Sequence, residues 1–256
     1  MPTASERGPS PRKELHIFYV LDTSGSMTGT KISTLNHAME ECTQVLKTEA
    51  QKNGDAMLKI AVLEFNSGAR WITSNGPEAM EDFEWEYLTA GGLTDMGMAL
   101  DELNSKLHKS EFLGSMMGAY IPIIIFMTDG AATDDYEGAL AEIRQNKWFR
   151  HSTKIDFAIG DEADSKMIAS VVGDSEAVIK TSDLELFARL LRFVTVTSSM
   201  RNTSITPESA MDGKSIVAEA RRQMDIPDSA TVELKPEEYD PEPDPVPDDE
   251  WGEEKW

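Results

Sequence analysis

Residues 15–26 read LHIFYVLDTSGS. From Leu15 to Leu21 every residue except His16 is apolar, and most are aromatic or branched, which is the composition of a buried strand. At Asp22 the polarity inverts within one residue. Asp22, Ser24 and Ser26 then alternate, and Gly25 between them lets the backbone turn sharply. These three alternating oxygen-bearing side chains, at the carboxyl end of a strand, begin an oxygen-only pocket. Hard divalent cations select such pockets.

Working outward, residues 1–13 read as a disordered leader, polar and without an apolar core, so no signal peptide is expected. After the DTSGS loop, Thr30 to Gln51 predicts a helix. Ile32, Leu35, Met39, Cys42 and Leu46 recur there at intervals of three and four. Met57 to Phe65 (MLKIAVLEF) is a second strand and Ala69 to Thr73 a short third one, with residues 74–92 irregular. A helix over Thr94 to Leu107 places Leu100, Leu103 and Leu107 on one face. Ile123 to Met127 is a continuous apolar run, the mark of a strand buried on both faces. Pro122 cannot donate to a ladder, so the paired part starts after it.

Further on, a helix is expected at Tyr136 to Lys147, a strand at Lys154 to Ile159 and a short helix at Asp164 to Val171. A strand at Ala177 to Lys180 and a helix from Leu184 to Val196 follow. Met211 to Met224 has the apolar spacing of one more helix, with residues 201–230 as a linker region. The alternation of strand and helix predicts an α/β fold: a Rossmann-like, doubly wound, mostly parallel sheet with helices on both faces over residues 14–200.

Residues 231–256 carry eleven acids against two lysines, with five prolines interleaved. Such a segment cannot bury enough to fold alone and reads as an acidic, disordered tail. Trp251 and Trp256 stand out in it, since large indoles gain nothing from exposure, and they are candidates for docking onto another surface. The whole chain has 256 residues and a formal net charge of −22. That charge argues against nucleic acid and anionic membranes as partners. The longest apolar run is far short of a spanning helix, so a cytoplasmic protein is expected. The single cysteine, Cys42, sits at a core position of its helix. His16, His37, His108 and His151 lack ligand spacing, so no zinc motif is present.

In a doubly wound sheet, ligands bind at the carboxyl ends of the strands where the strand order reverses. The first strand and the Ile123 strand are the expected neighbours there. They deliver Asp22-Thr23-Ser24-Gly25-Ser26 and Thr128-Asp129-Gly130 to one rim. A third loop, Gly91-Gly92-Leu93-Thr94-Asp95, opens a helix and can lay the Thr94 hydroxyl over the same spot. The sum is two carboxylates and three hydroxyls. If the hydroxyls contact the ion and the carboxylates act through water, the ion keeps much of its charge and attracts an external anion. Mg²⁺ suits this set best, with Mn²⁺ or Ca²⁺ as substitutes.

D-x-S-x-S, a G-G-x-T and a later F-M-T-D-G, in that order, resemble the metal-ion-dependent adhesion site of von Willebrand factor type A (VWA) domains. The resemblance implies that Ser24, Ser26 and Thr94 contact the metal, and that Asp22 and Asp129 act mainly through water. PIIIFMTDG followed by TDD is similar to bacterial VWA proteins associated with tellurium resistance and stress, which are encoded beside kinases and phosphatases and scaffold them. The resemblance therefore implies a non-enzymatic interaction module that captures an Asp or Glu of a protein partner, such as a kinase or phosphatase from the same gene cluster.

The competing reading is a metal-dependent phosphohydrolase with Asp22 as nucleophile. That chemistry wants a second acid two residues on, where Ser24 stands, and a lysine near Asp129, which is not evident in the sequence. No glycine-lysine phosphate loop is present either. Asp95, Asp134 and Asp135 are possible rim residues, although acids there also suit the first turns of helices. A tail carboxylate, tethered close by, could also occupy the metal in cis.

Overall fold

The structure is a computed structural model, and it describes residues 12–52, 56–108, 110–113, 119–161, 163–204 and 212–224. The first strand, β1, runs from Lys13 to Asp22, and helix α1 from Thr30 to Lys52. Then come β2 (Ala56–Asn66), β3 (Gly68–Trp71), the two-residue β4 (Glu78–Ala79) and α2 (Met96–Lys106). β5 (Ile123–Thr128), α3 (Tyr136–Ile143), α4 (Lys147–His151) and β6 (Thr153–Ile159) follow. The described chain ends with α5 (Ser165–Val172), β7 (Val178–Thr181), α6 (Leu184–Ser204) and α7 (Gly213–Met224).

The strands form one sheet of order β3-β2-β1-β5-β6-β7, with β4 paired to β2. β1, β2, β5, β6 and β7 pair parallel, whereas β3 and β4 run antiparallel to β2 at its edge. The chain steps outward from β1 to β2, then crosses back to β5 on the other side of β1. The expected reversal point therefore lies between β1 and β5, which pair from Ile17↔Ile123 to Leu21↔Met127.

Because side chains alternate across a strand, β1 feeds two cores. Ile17, Tyr19 and Leu21 face α1 and α6, while Phe18 and Val20 face α2, α3 and α5. Strands buried on both faces need continuous apolar sequence, which is why the alternating pattern of a half-exposed sheet is absent here. The Tyr19 hydroxyl donates to Thr195 of α6 at 3.1 Å, satisfying the one polar atom it brings inside. Cys42 is buried in the α1 core, as its spacing implies.

Several boundaries differ from expectation. The helix expected over Tyr136 to Lys147 ends at Ile143, and a separate short helix starts at Lys147. Asn146 accepts the Trp148 N–H with its side-chain oxygen and starts α4, while its amide donates to Asn104 and to the Leu107 carbonyl. A capping asparagine can open a new helix where periodicity alone suggests continuation. The final core helix runs eight residues past Val196, to Ser204. α7 starts at Gly213, where a Cβ would stand 1.9 Å from the Lys154 carbonyl oxygen, so only glycine lets the helix approach β6 this closely. The leader up to residue 11, Met211, the tail 231–256 and both of its tryptophans lie outside the described residues. Among the described residues, no helix is long and apolar enough to cross a membrane.

Candidate functional site

The loop after β1, the loop before α2 and the loop after β5 meet at the rim where the strand order reverses. Backbone hydrogen bonds hold the first two together: Gly91 N–H to the Thr23 carbonyl at 2.8 Å, and Gly25 N–H to the Gly92 carbonyl at 3.1 Å. This packing requires glycine on both sides. A Cβ on Gly25 would stand 3.2 Å from the Gly92 oxygen. Gly92 itself has φ +87°, and a Cβ there would stand 2.7 Å from the Ser67 hydroxyl. The third loop joins through Thr133, whose N–H reaches the Thr94 carbonyl and whose hydroxyl accepts the Thr94 N–H, each at 2.9 Å.

Within this frame the five expected residues come together. Asp22 is fully buried at the end of β1. Its Oδ1 accepts the Ser24 N–H at 2.7 Å, and its Oδ2 accepts the Thr128 hydroxyl at 2.6 Å. Burial pushes the Asp22 carboxyl up from the ordinary value; the Ser24 and Thr128 donors oppose this, and the charge of Asp129 adds to it. The Ser24 and Ser26 hydroxyls lie 3.0 Å apart, and Ser26 donates to Asp129 Oδ1 at 2.6 Å. A Cβ built on Gly130 would lie 3.7 Å from Ser26 Oγ and 3.8 Å from Thr94 Oγ1, so both hydroxyls flank one point.

The carboxylates are turned toward protein donors. The Ser26 hydroxyl gives its proton to Asp129 and so accepts from Ser24, which leaves it one lone pair for another electropositive group. Among the described residues no three or more of His, Cys, Asp and Glu cluster as a metal cage. An ion at this rim would depend on hydroxyl oxygens, and the all-oxygen donor set fits a hard divalent cation.

The three rim candidates have other duties. Asp95 accepts the Gly68 N–H at 2.9 Å and the Thr133 hydroxyl at 3.2 Å, tying the β2–β3 turn to the site loops. Asp134 does not start the helix that follows it. Its two oxygens accept the Gly97 and Met98 N–H groups, both at 3.0 Å, and so cap α2 from the neighbouring loop. A spatial neighbour can cap a helix as well as a sequence neighbour, because the first-turn N–H groups need only an acceptor. Asp135 precedes α3, is exposed, and its carboxylate makes no capping hydrogen bond.

Lys31 was missed. The lysine that the sequence does not reveal near Asp129 is present: the Lys31 ammonium pairs with Asp129 Oδ2. One signal could have found it. The first turn of α1 holds no acid and carries this lysine, against the preference of a helix amino terminus for negative charge. A nearby anion offsets that placement, and Asp129 is one.

The sequence pattern of the von Willebrand factor type A domain matches residues 16–191 of this chain. The chain belongs to the VWA family. No curated protein sequence matches it. Solved VWA structures share its fold at low identity. A von Willebrand factor type A protein from Catenulispora acidiphila superposes with TM-score 0.54 at 18% identity, covering 74% of this chain and 43% of that one. Proximal thread matrix protein 1 from the mussel byssus, in a structure with a zinc-occupied MIDAS motif, gives 0.53 at 16%, covering 71% and 47%. The ArnB paralog VWA2 from Sulfolobus acidocaldarius gives 0.51 at 16%, covering 72% and 45%. This chain thus spans a little under half the length of each of these proteins.

Proposed function

We propose that this VWA domain is a non-enzymatic interaction module that captures an acidic residue of a protein partner through a divalent cation, Mg²⁺ in the cell. Ser24, Ser26 and Thr94 would hold the ion directly, and Asp22 and Asp129 through water. When bound, the ion supplies an electropositive point with room for an outside oxygen. The observation that carries this reading is the convergence of the Ser26 and Thr94 hydroxyls on one point beside Gly130, from loops far apart in the chain. Lys31 adds a second positive group beside Asp129, which favours an anionic guest over a neutral one.

The phosphohydrolase reading fares worse. A nucleophilic aspartate must present a free oxygen to substrate. Asp22 is buried, and both its oxygens are occupied by Ser24 and Thr128. Lys31 supplies the lysine that such chemistry wants, but Ser24 still stands where the acid would be. The partner is an Asp- or Glu-presenting protein, for instance a kinase or phosphatase encoded nearby in a tellurium-resistance-like stress system, in the cytoplasm.

Calorimetric titration with Mg²⁺ and Mn²⁺ tests the site. Asp22→Ala and Thr94→Ala are each expected to abolish binding while circular dichroism shows the sheet and helices intact. Metal binding that survives both substitutions would place the ion elsewhere. Capture of host proteins with and without chelator then identifies the metal-dependent partner, and capture unaffected by chelation would sink the proposal.

A further inference from the structure

A groove of about 520 Å³ lies between α1 and α6 where α7 ends, lined by Val45, Arg189, Arg192, Phe193, Val196 and Met224, among others. The four α6 residues recur at intervals of three and four, so they form one stripe of that helix. Phe193 and Val196 are half-buried at its floor, and Arg189 and Arg192 are exposed. The Arg192 guanidinium meets Glu41 at 4.0 Å, the outer limit of an ion pair, so its donors are not committed. A trough with an apolar floor and guanidinium groups at its edge suits a guest that is aromatic and acidic at once.

The chain itself supplies one. Met224, the last residue of α7, is part of the lining, and 32 residues follow it. They carry thirteen acids and two lysines, and both indoles have acidic neighbours: Asp249 and Glu250 before Trp251, Glu253 and Glu254 before Trp256. Twenty-six residues separate Met224 from Trp251, and a random coil of that length would average about 30 Å end to end, so either indole can reach the groove without a stretched chain. Tethering at the groove itself raises the effective concentration to roughly millimolar.

We infer that the groove is the docking site of the chain's own carboxyl-terminal segment, residues 225–256. An indole of Trp251 or Trp256 lies on Phe193 and Val196, and neighbouring carboxylates pair with Arg189 and Arg192. The indole leaves water while its N–H stays at the polar edge, the arrangement Trp favours at interfaces. Guanidinium–carboxylate pairs give the contact direction as well as strength. None of this depends on the metal site.

Fluorine NMR of the full chain labelled with 5-fluorotryptophan tests the inference. Five resonances are expected, and Trp251→Phe and Trp256→Phe assign the two from the tail. In the unmodified chain at least one tail resonance should be displaced from the free-indole position and insensitive to exchange of H₂O for D₂O. Arg189→Glu with Arg192→Glu should return it to the free position, while the signals of Trp71, Trp85 and Trp148 stay in place and report an intact fold. Val45→Glu, on the opposite wall, should release it as well. Two tail resonances at the free position in the unmodified chain would overturn the inference, as would displacement indifferent to these substitutions. Displacement that grows with protein concentration would assign the groove to a second copy instead.

Discussion

Two fully buried aspartates sit two strands apart in this sheet, under opposite conditions. Asp22, at the rim end of β1, has a protein donor on each oxygen. Asp156, midway along β6, is flanked in register by Phe126 and Val178, and neither oxygen has a hydrogen-bond partner among the described residues. Burial raises both carboxyls. For Asp156 the shift is large and is driven by burial, with the Phe157 backbone opposing it and the charge of Asp22 adding to it. Burial without donors thus favours the neutral acid at Asp156. Depth alone does not make a charged site; donors do.

The sharpest way to break this contrast is to exchange carboxyl for amide at each position. Asp22→Asn puts an N–H against either the Ser24 N–H or the Thr128 hydroxyl, and should weaken Mg²⁺ binding roughly ten- to hundredfold. Asp156→Asn should leave binding unchanged. Isothermal titration of both variants decides it, and equal losses would erase the distinction.

Stability separates the two next. Asp156→Val, filling the strand with an apolar residue, should stabilise the chain near neutral pH by about 2 kcal/mol, or roughly 4–8 °C in Tm. The folded carboxyl titrates above its unfolded value, so between those values the native state holds a proton that the unfolded chain has lost. Native stability therefore falls as pH rises through that window. The advantage of Asp156→Val should shrink as pH falls toward the ordinary carboxyl range. Thermal melts across pH that show a constant advantage would refute the neutral acid.

His16 extends the rule to a base. It is buried with Nδ1 unpartnered, and burial, helped by the charge of Lys59, lowers its pKa from 6.5 to about 3. Between those values the unfolded chain binds a proton that the native chain refuses, so stability is lost as pH falls. The slope approaches about 1.4 kcal/mol per pH unit. His16→Leu should flatten that part of the profile, and denaturant midpoints at a series of pH values read it. The smallest effect belongs to an acid that donors satisfy outside the core: Asp134→Ala should cost about 1 kcal/mol by uncapping α2, with Mg²⁺ affinity intact.

Much of this was legible from residue order. The apolar runs at β1 and β5 and the inversion at Asp22 are local signals, whereas Gly25 and Gly92 are close-packed against distant residues, the Gly92 carbonyl and the Ser67 hydroxyl, which residue order does not show. Boundaries failed where a partner came from elsewhere. Asn146 splits a helix because its amide finds Asn104 and Leu107, and Asp134 caps α2 rather than α3 because the helix amino terminus lies beside it. Lys31 was silent for the same reason, since its anion is 98 positions away.

The sequence by itself determined that oxygen-bearing loops would follow two buried strands, because a strand's burial and its polar terminus are written in consecutive residues. Only the tertiary structure decided which oxygens face each other, which acid is caged by donors and which is stranded in the core. Those outcomes depend on the register between strands distant in the chain, and register is set by packing the whole sheet at once.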